Sequence, residues 1–287
     1  MIREIARAAS RVLPASAKAH LADWRFGHGG HGHRFRVARE PDGDLVRFTI
    51  DDRLRLAAPG AAAAAVDYQF VEDGDSRSEM AAFIALSSSA PPDALLLDVG
   101  AHLGLFSVVH LMLGPAHRAV LIDASPPLCD AAGAWLRLER LEERADVRCA
   151  GIGDRVETRR IEAHAIEFAR EATGEATGVE VPFTTIDAIC GDGKLRPAII
   201  KIDVEGHEGS VIAGARETLR RDRPVLCLEL HLDMLERAAV PLDAILRALD
   251  EADYEYRDAD GRRLSAGRVR RSLKALIRIT AHPRERG

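Results

Sequence analysis

Aromatic residues are scarce in this chain of 287 residues: Phe, Tyr and Trp together make up 5%. An interior built on stacked rings is thereby excluded, and aliphatic residues and alanine must fill the core. Cysteine is also rare. Cys129, Cys149, Cys190 and Cys227 include no C-x-x-C pair and match no zinc-ligand spacing. Cys149 and Cys227 sit inside apolar runs, so buried free thiols in a reducing, cytoplasmic setting are expected. No apolar run approaches the roughly 20 residues that a membrane span requires. The N-terminus lacks the continuous apolar core of a secretory signal. A net charge of −5 gives no overall basic field, which argues against nucleic acid as a partner. What is present, 47% hydrophobic and 30% charged residues, is the composition of a globular protein with a sizeable core.

Residues 1–20 carry Ile2, Ile5, Ala6, Ala9, Val12 and Leu13 at helical spacing, with Arg3, Arg7 and Arg11 between them. A basic amphipathic helix of this kind either starts a domain as an arm or rests on a membrane surface. Residues 27–33 form a glycine-rich loop whose three histidines are poorly preorganised for a metal. Phe35–Val37, Leu45–Ile50 and Leu54–Leu56 alternate apolar and polar residues around the turn Asp42-Gly43-Asp44, the pattern of a small antiparallel element. Glu79–Leu86 reads as a helix, followed by a linker at Ser87–Pro92.

From residue 94 strands alternate with helices. Expected strands are Leu95–Val99, Ala119–Ile122, Val147–Ile152, Ala198–Val204 and Val225–Leu230, with late short strands at Tyr254–Arg257 and Ala275–Thr280. Helices are expected over Gly104–Leu113, Pro127–Glu143, Glu208–Arg221 and Leu242–Glu251, and a short one begins at Ile186 with Thr185 as its cap. Val156–Ile161 and Val179–Phe183 bracket an excursion of hairpin or loop character. This alternation predicts an α/β fold, a doubly wound and mostly parallel sheet. The expected division is an extension over residues 1–90, acting as a lid or dimer contact, and a main domain over 91–287.

Ligands bind such sheets at the carboxyl ends of the strands. The first buried strand runs into Asp98-Val99-Gly100-Ala101-His102-Leu103-Gly104 and then a helix. Gly100 permits a sharp turn, and Gly100 and Gly104 leave backbone open to a ligand. There is no third glycine of a dinucleotide fingerprint and no P-loop lysine. An acid at the strand end with widely spaced glycines suits a ligand with a cation and an amine, as in S-adenosylmethionine. Asp123, closing the second strand, can accept both hydroxyls of a ribose. Ser125 then either caps a helix or contacts the ribose. Asp154 follows the third strand, where it either meets an adenine amino group or makes a turn.

The run Ile200-Lys201-Ile202-Asp203-Val204-Glu205-Gly206-His207-Glu208 delivers four acid or base groups at a strand end. Charged groups are rarely buried without partners. The segments "LLLDVGAHLGLFS", "IDASP", "IGD", "VPFTTID", "IIKIDVEGHEGSVIAGARETL" and "RPVLCLELH" occur in that order. Together they resemble the FkbM family of S-adenosylmethionine-dependent methyltransferases over roughly residues 94–231. The resemblance implies a class I methyltransferase fold with a seven-stranded sheet whose last strand is antiparallel, and methyl transfer to a hydroxyl oxygen of a sugar or secondary metabolite. It also implies that Asp98, Gly100 and Gly104 hold the methionine part of the cofactor and Asp123 the ribose, where the family more often has glutamate. Asp154 lies near adenine, and His102 stands where the family often has asparagine.

An alcohol acceptor must lose its proton as it attacks, and histidine is the usual base near neutral pH. His207 is the first candidate and His231, ending the fifth strand, its rival. Asp203 and Glu205 orient that histidine, bind sugar hydroxyls, or ligate a divalent cation. Asp203, Glu229 and His231, with Asp233 nearby, are the candidate ligands for Mg²⁺ or Mn²⁺. The bland alternative is a buried ion network of Lys201, Asp203, Glu205 and Glu229. The expected partner is a small-molecule or glycan hydroxyl acceptor, with homodimer formation through the extension. Competing functions are a nicotinamide-dependent oxidoreductase and a non-catalytic cofactor-binding protein.

Overall fold

Five apolar segments ending in polar residues run side by side in the computed structural model, which describes residues 33–162, 170–171, 178–272 and 274–285. The N-terminal helix expected over residues 1–20 lies outside the described residues, as does most of the glycine- and histidine-rich loop.

The chain opens with an antiparallel sheet of β1 (Val37–Asp42), β2 (Leu45–Ile50) and β3 (Leu54–Pro59), turned at Gly43, as the alternation predicts. Helix α1 (Gly60–Asp67) runs through a π-helical turn, Tyr68–Glu72, towards α2 (Gly74–Ser89). Asp73 caps α2 by accepting a hydrogen bond from the Ser76 N–H at 2.7 Å, and the helix continues through the first half of the expected linker, to Ser89.

The main sheet contains β4 (Leu95–Val99), β5 (Arg118–Asp123), β6 (Ala145–Cys149), β11 (Ile199–Ile202), β12 (Val225–His231), β13 (Tyr254–Arg257), β14 (Arg263–Leu264) and β15 (Leu276–Pro283). Their order is β14-β13-β15-β12-β11-β4-β5-β6. The ladders from β12 through β6 are parallel, and β15 is antiparallel to both of its long neighbours. This is the expected doubly wound sheet with an antiparallel last strand, to which β14 adds a two-residue edge. A second sheet is formed by β7 (Gly151–Ile152), β8 (Glu157–Glu162), β9 (Arg170–Glu171) and β10 (Val179–Thr184), and it contains the expected hairpin. The single third strand expected over 147–152 is divided, because Gly151 and Ile152 leave β5 and pair with β10 instead.

Each face of the main sheet buries its own core. One face packs Val99, Ile122, Ile202 and Leu228 under α5 (Ile186–Lys194), α6 (Glu208–Ala213), α7 (Arg216–Arg221) and α9 (Leu242–Glu251). Thr185 caps α5 through its Oγ1, which accepts from the Ala188 N–H at 3.0 Å. The other face packs Leu96, Leu121 and Ile199 under α3 (Leu105–Leu113) and α4 (Pro126–Leu138), and this core also holds Phe48, Ile50, Met80 and Phe83. The N-terminal strands therefore share a core with the main sheet. Trp135 of α4, 1% exposed, donates its indole N–H to the Ala57 carbonyl at 2.9 Å, and Glu139 accepts from the Ala57 N–H. Burying a side chain of this size contributes on the order of 2–3 kcal/mol.

The helix expected over 208–221 is interrupted at Gly214, where a Cβ would lie 2.1 Å from the Gly153 carbonyl oxygen. Helix α8 (Leu232–Arg237) follows β12 without a turn, and α10 (Ala266–Arg270) precedes β15 with Ser265 as its cap.

Candidate active site

Side chains two apart on a strand share a face of the sheet. Asp98 on β4, Lys201 on β11 and Cys227 on β12 are register neighbours, and two residues further along come Asp203 and Glu229. Glu229 is opposite Arg278 of β15, and His231 ends the same row. The sheet thus carries a file of ionisable groups on the face covered by α2 and α3, beginning under the helices and ending at the carboxyl edge.

At the buried end Lys201 is 2% exposed. Its Nζ donates to Asp203 Oδ2 at 2.9 Å, lies 3.7 Å from Glu229 Oε1, and stands 4.4 Å from the centre of the Phe106 ring. Arg278 Nε lies 3.2 Å from Glu229 Oε2 and 2.9 Å from Glu79 Oε2 of α2, which also accepts from Gln69 Nε2 at 3.0 Å. Burial works against the Lys201 charge, but Asp203, Glu229 and Glu79 around it hold the ammonium above its ordinary range. Burial raises the Asp203 carboxyl, and the adjoining Lys201 more than reverses this, so Asp203 falls below the usual carboxylate range. Glu229 is pushed well above that range by burial and by Glu79 and Asp203 alongside, and it hydrogen-bonds Asp203. The ion-network alternative therefore describes part of this site: Lys201, Asp203 and Glu229 are mutually engaged, with Arg278 and Glu79 added.

At the open end the chain turns through Glu205 (φ 50°) and Gly206 (φ 96°) into α6. Gly206 has no room for a Cβ, which would lie 2.7 Å from the Cβ of Met234 on α8. The Gly206 N–H donates to Glu208 Oε1 at 3.1 Å. Glu208 is completely buried, and the same oxygen accepts from His231 Nδ1 at 2.9 Å, while its Oε2 has no hydrogen-bond partner among the described residues. His231 Nε2 then faces Glu205 Oε2 at 3.4 Å and Asp203 Oδ1 at 3.9 Å. Burial lowers the proton affinity of this imidazole, but the Glu208 hydrogen bond and the charges of Glu205 and Asp203 outweigh it and raise the pKa. Glu205 is raised by burial, with Asp203 and Glu208 adding to the effect against His231.

One atom each from Asp203, Glu205 and His231 lie within 4.8 Å of one another. Glu229, expected in such a set, is taken up by Lys201 and Arg278, and Asp233 pairs with Arg237 at 3.7 Å. His207 caps α6 beside the cluster, its backbone N–H donating to the Val204 carbonyl. Its ring makes no hydrogen bond or ion pair among the described residues.

The β4–α3 turn lies against the end of β5. The N–H groups of Gly100 and Ala101 both donate to the Ile122 carbonyl, at 2.9 and 3.0 Å. Asp123 Oδ2 accepts from the His102 N–H at 2.8 Å, and Oδ1 accepts from the Ser125 N–H at 2.9 Å. These bonds oppose the burial that raises the Asp123 carboxyl. Gly100, His102 and Gly104 all have positive φ. A Cβ at Gly100 would lie 1.8 Å from the Asp203 carbonyl oxygen, and one at Gly104 would lie 2.7 Å from Leu121 Cδ2. Both glycines are thus required by the protein's own packing. Asp98 is 2% exposed and accepts from Ser107 Oγ at 2.7 Å; burial raises its carboxyl, against the pull of Lys201 and Ser107. Ser125 is fully buried with its hydroxyl unpartnered, whereas Asp154 is exposed beyond β7.

Of the residues singled out in the sequence, Asp98, Gly100, His102, Gly104, Asp123 and Ser125 lie about the β4–α3 turn and the end of β5, and Asp203, Glu205, His207 and His231 about the ends of β11 and β12. Sequence reasoning missed Glu208 as the partner of His231, although Glu208 stands within the same charged run. It also missed Arg278 and Glu79, which carry no local signal. The polar residues at alternate positions in "IKID" and "LELH" are the sequence trace of the ionisable file.

Among solved structures the chain is similar to methyltransferase FkbM from Methylobacillus flagellatus KT, at 16% identity and a TM-score of 0.45, over 76% of this chain and 57% of that one. It is also similar to an O-methyltransferase from Bacillus cereus in complex with SAH, at 15% identity and a TM-score of 0.42, over 78% of this chain and 87% of that one. TYW2 of P. horikoshii in complex with MeSAdo is similar at 12% identity and a TM-score of 0.43, over 84% and 71% of the two chains. The chain thus spans little more than half the length of the Methylobacillus protein. No curated protein sequence matches it. Residues 98–256, more than half of the chain, match the methyltransferase FkbM domain, and the chain belongs to that family.

Proposed function

We propose that this protein is an S-adenosylmethionine-dependent O-methyltransferase acting on a hydroxyl of a small molecule or glycan, such as a sugar or secondary metabolite. The observation that carries the reading is His231, held by the buried Glu208 at the carboxyl edge of the sheet, in the strand row that also contains Asp203. The cofactor, when bound, supplies an electrophilic methyl group on a sulfonium.

The residues fit such a ligand on the ribose side. Asp123 is half-buried and anchored by one backbone N–H on each oxygen, so each oxygen keeps a lone pair for a ribose hydroxyl. The unpartnered Ser125 hydroxyl adds a polar group beneath the same loop. The Gly100–Gly104 turn shapes the methionine side. Asp98 acts through Ser107 and Lys201 beneath that turn, and Asp154 and His102 remain candidates near adenine and the cofactor backbone.

On the acceptor side, Asp203 and Glu205 accept hydroxyl hydrogen bonds and fix the attacking oxygen, since most of the benefit in an in-line displacement comes from alignment. Of the two histidines we assign the base to His231. Glu208 fixes the ring through Nδ1, leaving Nε2 to take the hydroxyl proton. His207 has no orienting partner among the described residues.

A second reading is favoured by the convergence of Asp203, Glu205 and His231 within 4.8 Å. Two carboxylates and an imidazole suit Mn²⁺, and less well Mg²⁺. A carboxylate on the far nitrogen is how metal-bound histidines are commonly oriented. A cation held by these three residues would lower the acceptor hydroxyl's pKa, and the base would then be His207.

The extension over residues 1–90 is proposed as cover for this crevice or as a dimer contact, with the main domain over 91–287 in a cytoplasmic, reducing setting. An acceptor screen with labelled methyl donor, run with and without a chelator, tests the reading. Labelled product that survives chelation supports His231 as base. Product lost on chelation and restored by Mn²⁺ supports the cation. No product from a broad hydroxyl panel, with a folded protein that binds S-adenosylhomocysteine, contradicts the O-methyl assignment.

A further inference from the structure

Cys129 and Cys149 both lie beside Asp123 at the end of β5. Cys129 stands in the first turn of α4, where its backbone N–H donates to the Ser125 carbonyl at 3.0 Å. Its thiol donates to the Asp123 carbonyl at 3.3 Å and approaches the Arg148 carbonyl at 4.0 Å. Cys149 ends β6 as the register neighbour of Asp123, and the Arg148 carbonyl that Cys129 Sγ approaches belongs to the peptide joining Arg148 to Cys149, so both cysteines flank the end of β5. Cys149 is exposed, whereas Cys129, Cys190 and Cys227 are buried. Burial, with Cys149 alongside, raises the Cys129 thiol far above its ordinary range, so Cys149 is the sulfur that meets a reagent first.

We propose that Cys129 and Cys149 are an oxidisable dithiol that closes to a disulfide under a peroxide and weakens cofactor binding at Asp123. The inference rests on the reading of Asp123 as the ribose ligand. The Cys149 thiolate attacks the peroxide O–O bond, forming a sulfenic acid and releasing hydroxide, which takes up the thiol proton as water. The Cys129 sulfur then attacks the sulfenic sulfur, the S–O bond breaks, and the leaving hydroxide removes the Cys129 proton as a second water. Two thiols are oxidised and one peroxide is reduced to two waters.

The consequence is local. Loss of the Cys129 proton removes its hydrogen bond to the Asp123 carbonyl. The new bond ties the first turn of α4 to the end of β6. Ser125, whose N–H holds Asp123 Oδ1, is bonded directly to that turn.

The test treats the full chain with hydrogen peroxide and reads three quantities: intact mass, free thiols by alkylation, and S-adenosylhomocysteine affinity by calorimetry. The expected result is a monomer that loses two hydrogens, protects Cys129 and Cys149 from alkylation, and binds S-adenosylhomocysteine about tenfold more weakly. A reducing dithiol restores the affinity, and Cys149→Ser is insensitive to peroxide. Retention of both thiols, an intermolecular Cys149 disulfide, or an intramolecular disulfide with affinity within twofold of the reduced protein overturns the proposal. If the reduced, folded protein fails to bind S-adenosylhomocysteine, the cofactor reading fails, and the mass and alkylation data still decide whether the disulfide forms.

Discussion

His231 turns its Nδ1 to Glu208 at 2.9 Å and its Nε2 to Glu205 at 3.4 Å. One ring nitrogen is thereby committed to a fully buried carboxylate, and the other faces the carboxylates of Glu205 and Asp203. Replacing Glu208 with Gln keeps an acceptor for Nδ1 but removes the charge. Turnover with an acceptor from the screen should fall about 10- to 100-fold, the usual scale for loss of an orienting carboxylate. The affinity for S-adenosylhomocysteine should stay within twofold. Steady-state kinetics and calorimetry check the two halves separately, and a loss confined to cofactor affinity counts against the role of Glu208.

Lys201 is the buried cation on which Asp203 and Glu229 depend. Lys201→Met leaves two carboxylates crowded without their shared partner, and removing one member of a buried pair costs about 3–5 kcal/mol. Adding Glu229→Gln to that variant removes the carboxyl crowded against Asp203 and should recover part of the loss. Urea denaturation of the single and double variants measures both effects.

Gly100 packs the β4–α3 turn directly against the backbone at the end of β11. Its φ is 76°, and a Cβ added there would come within 1.8 Å of the Asp203 carbonyl oxygen, a backbone atom that has no flexible side chain to move aside. Gly100→Ala should destabilise the fold by roughly 2–5 kcal/mol, combining left-handed strain with overpacking. Gly104→Ala meets the flexible end of Leu121 and should cost less. Thermal unfolding of the two variants tests the order.

His110 sets an acid limit on stability far from the crevice. It is completely buried, with Nδ1 2.7 Å from Ser87 Oγ, Nε2 3.2 Å from the Ala94 carbonyl and the His117 ring stacked at 4.3 Å. Burial lowers its pKa from 6.5 to about 4, with His117 and Arg144 also opposing the charge. The unfolded chain therefore binds a proton that the folded chain refuses between these values. The stability contributed is full above pH 6.5 and is lost as the pH falls towards 4, a change on the order of 3 kcal/mol. Denaturation midpoints between pH 8 and 4 should show this slope, and His110→Gln should flatten it.

Much of the architecture was legible because it depends on local pattern. The apolar runs at Leu95–Val99 and Val225–Leu230, the Asp42-Gly43-Asp44 turn and the Thr185 cap each report their own conformation. The misreadings arose where distant contacts decided the outcome. Gly151 and Ile152 change sheets because β10 is there to receive them, and the helix after His207 breaks where Gly214 packs on Gly153. In the site, the charged run announced Asp203 and Glu205. The preference for His207 followed its place in that run, whereas it is His231, from the next strand, that meets the acids. Arg278 reaches Glu229 only through antiparallel pairing of the last strand, and Glu79 comes from α2, which precedes the first strand of the main sheet. No spacing in the chain encodes either contact.

The cofactor half of the proposed function depends on Asp123, held by the backbone of His102 and Ser125, as the anchor for the adenosine of a methyl donor. Calorimetric titration of S-adenosylhomocysteine into the parent protein and into Asp123→Ala tests it most directly. Saturable binding by the parent at one ligand per chain is predicted, with an affinity at least about tenfold lower in the variant. Absence of binding by the folded parent, or equal affinity in the two proteins, contradicts it.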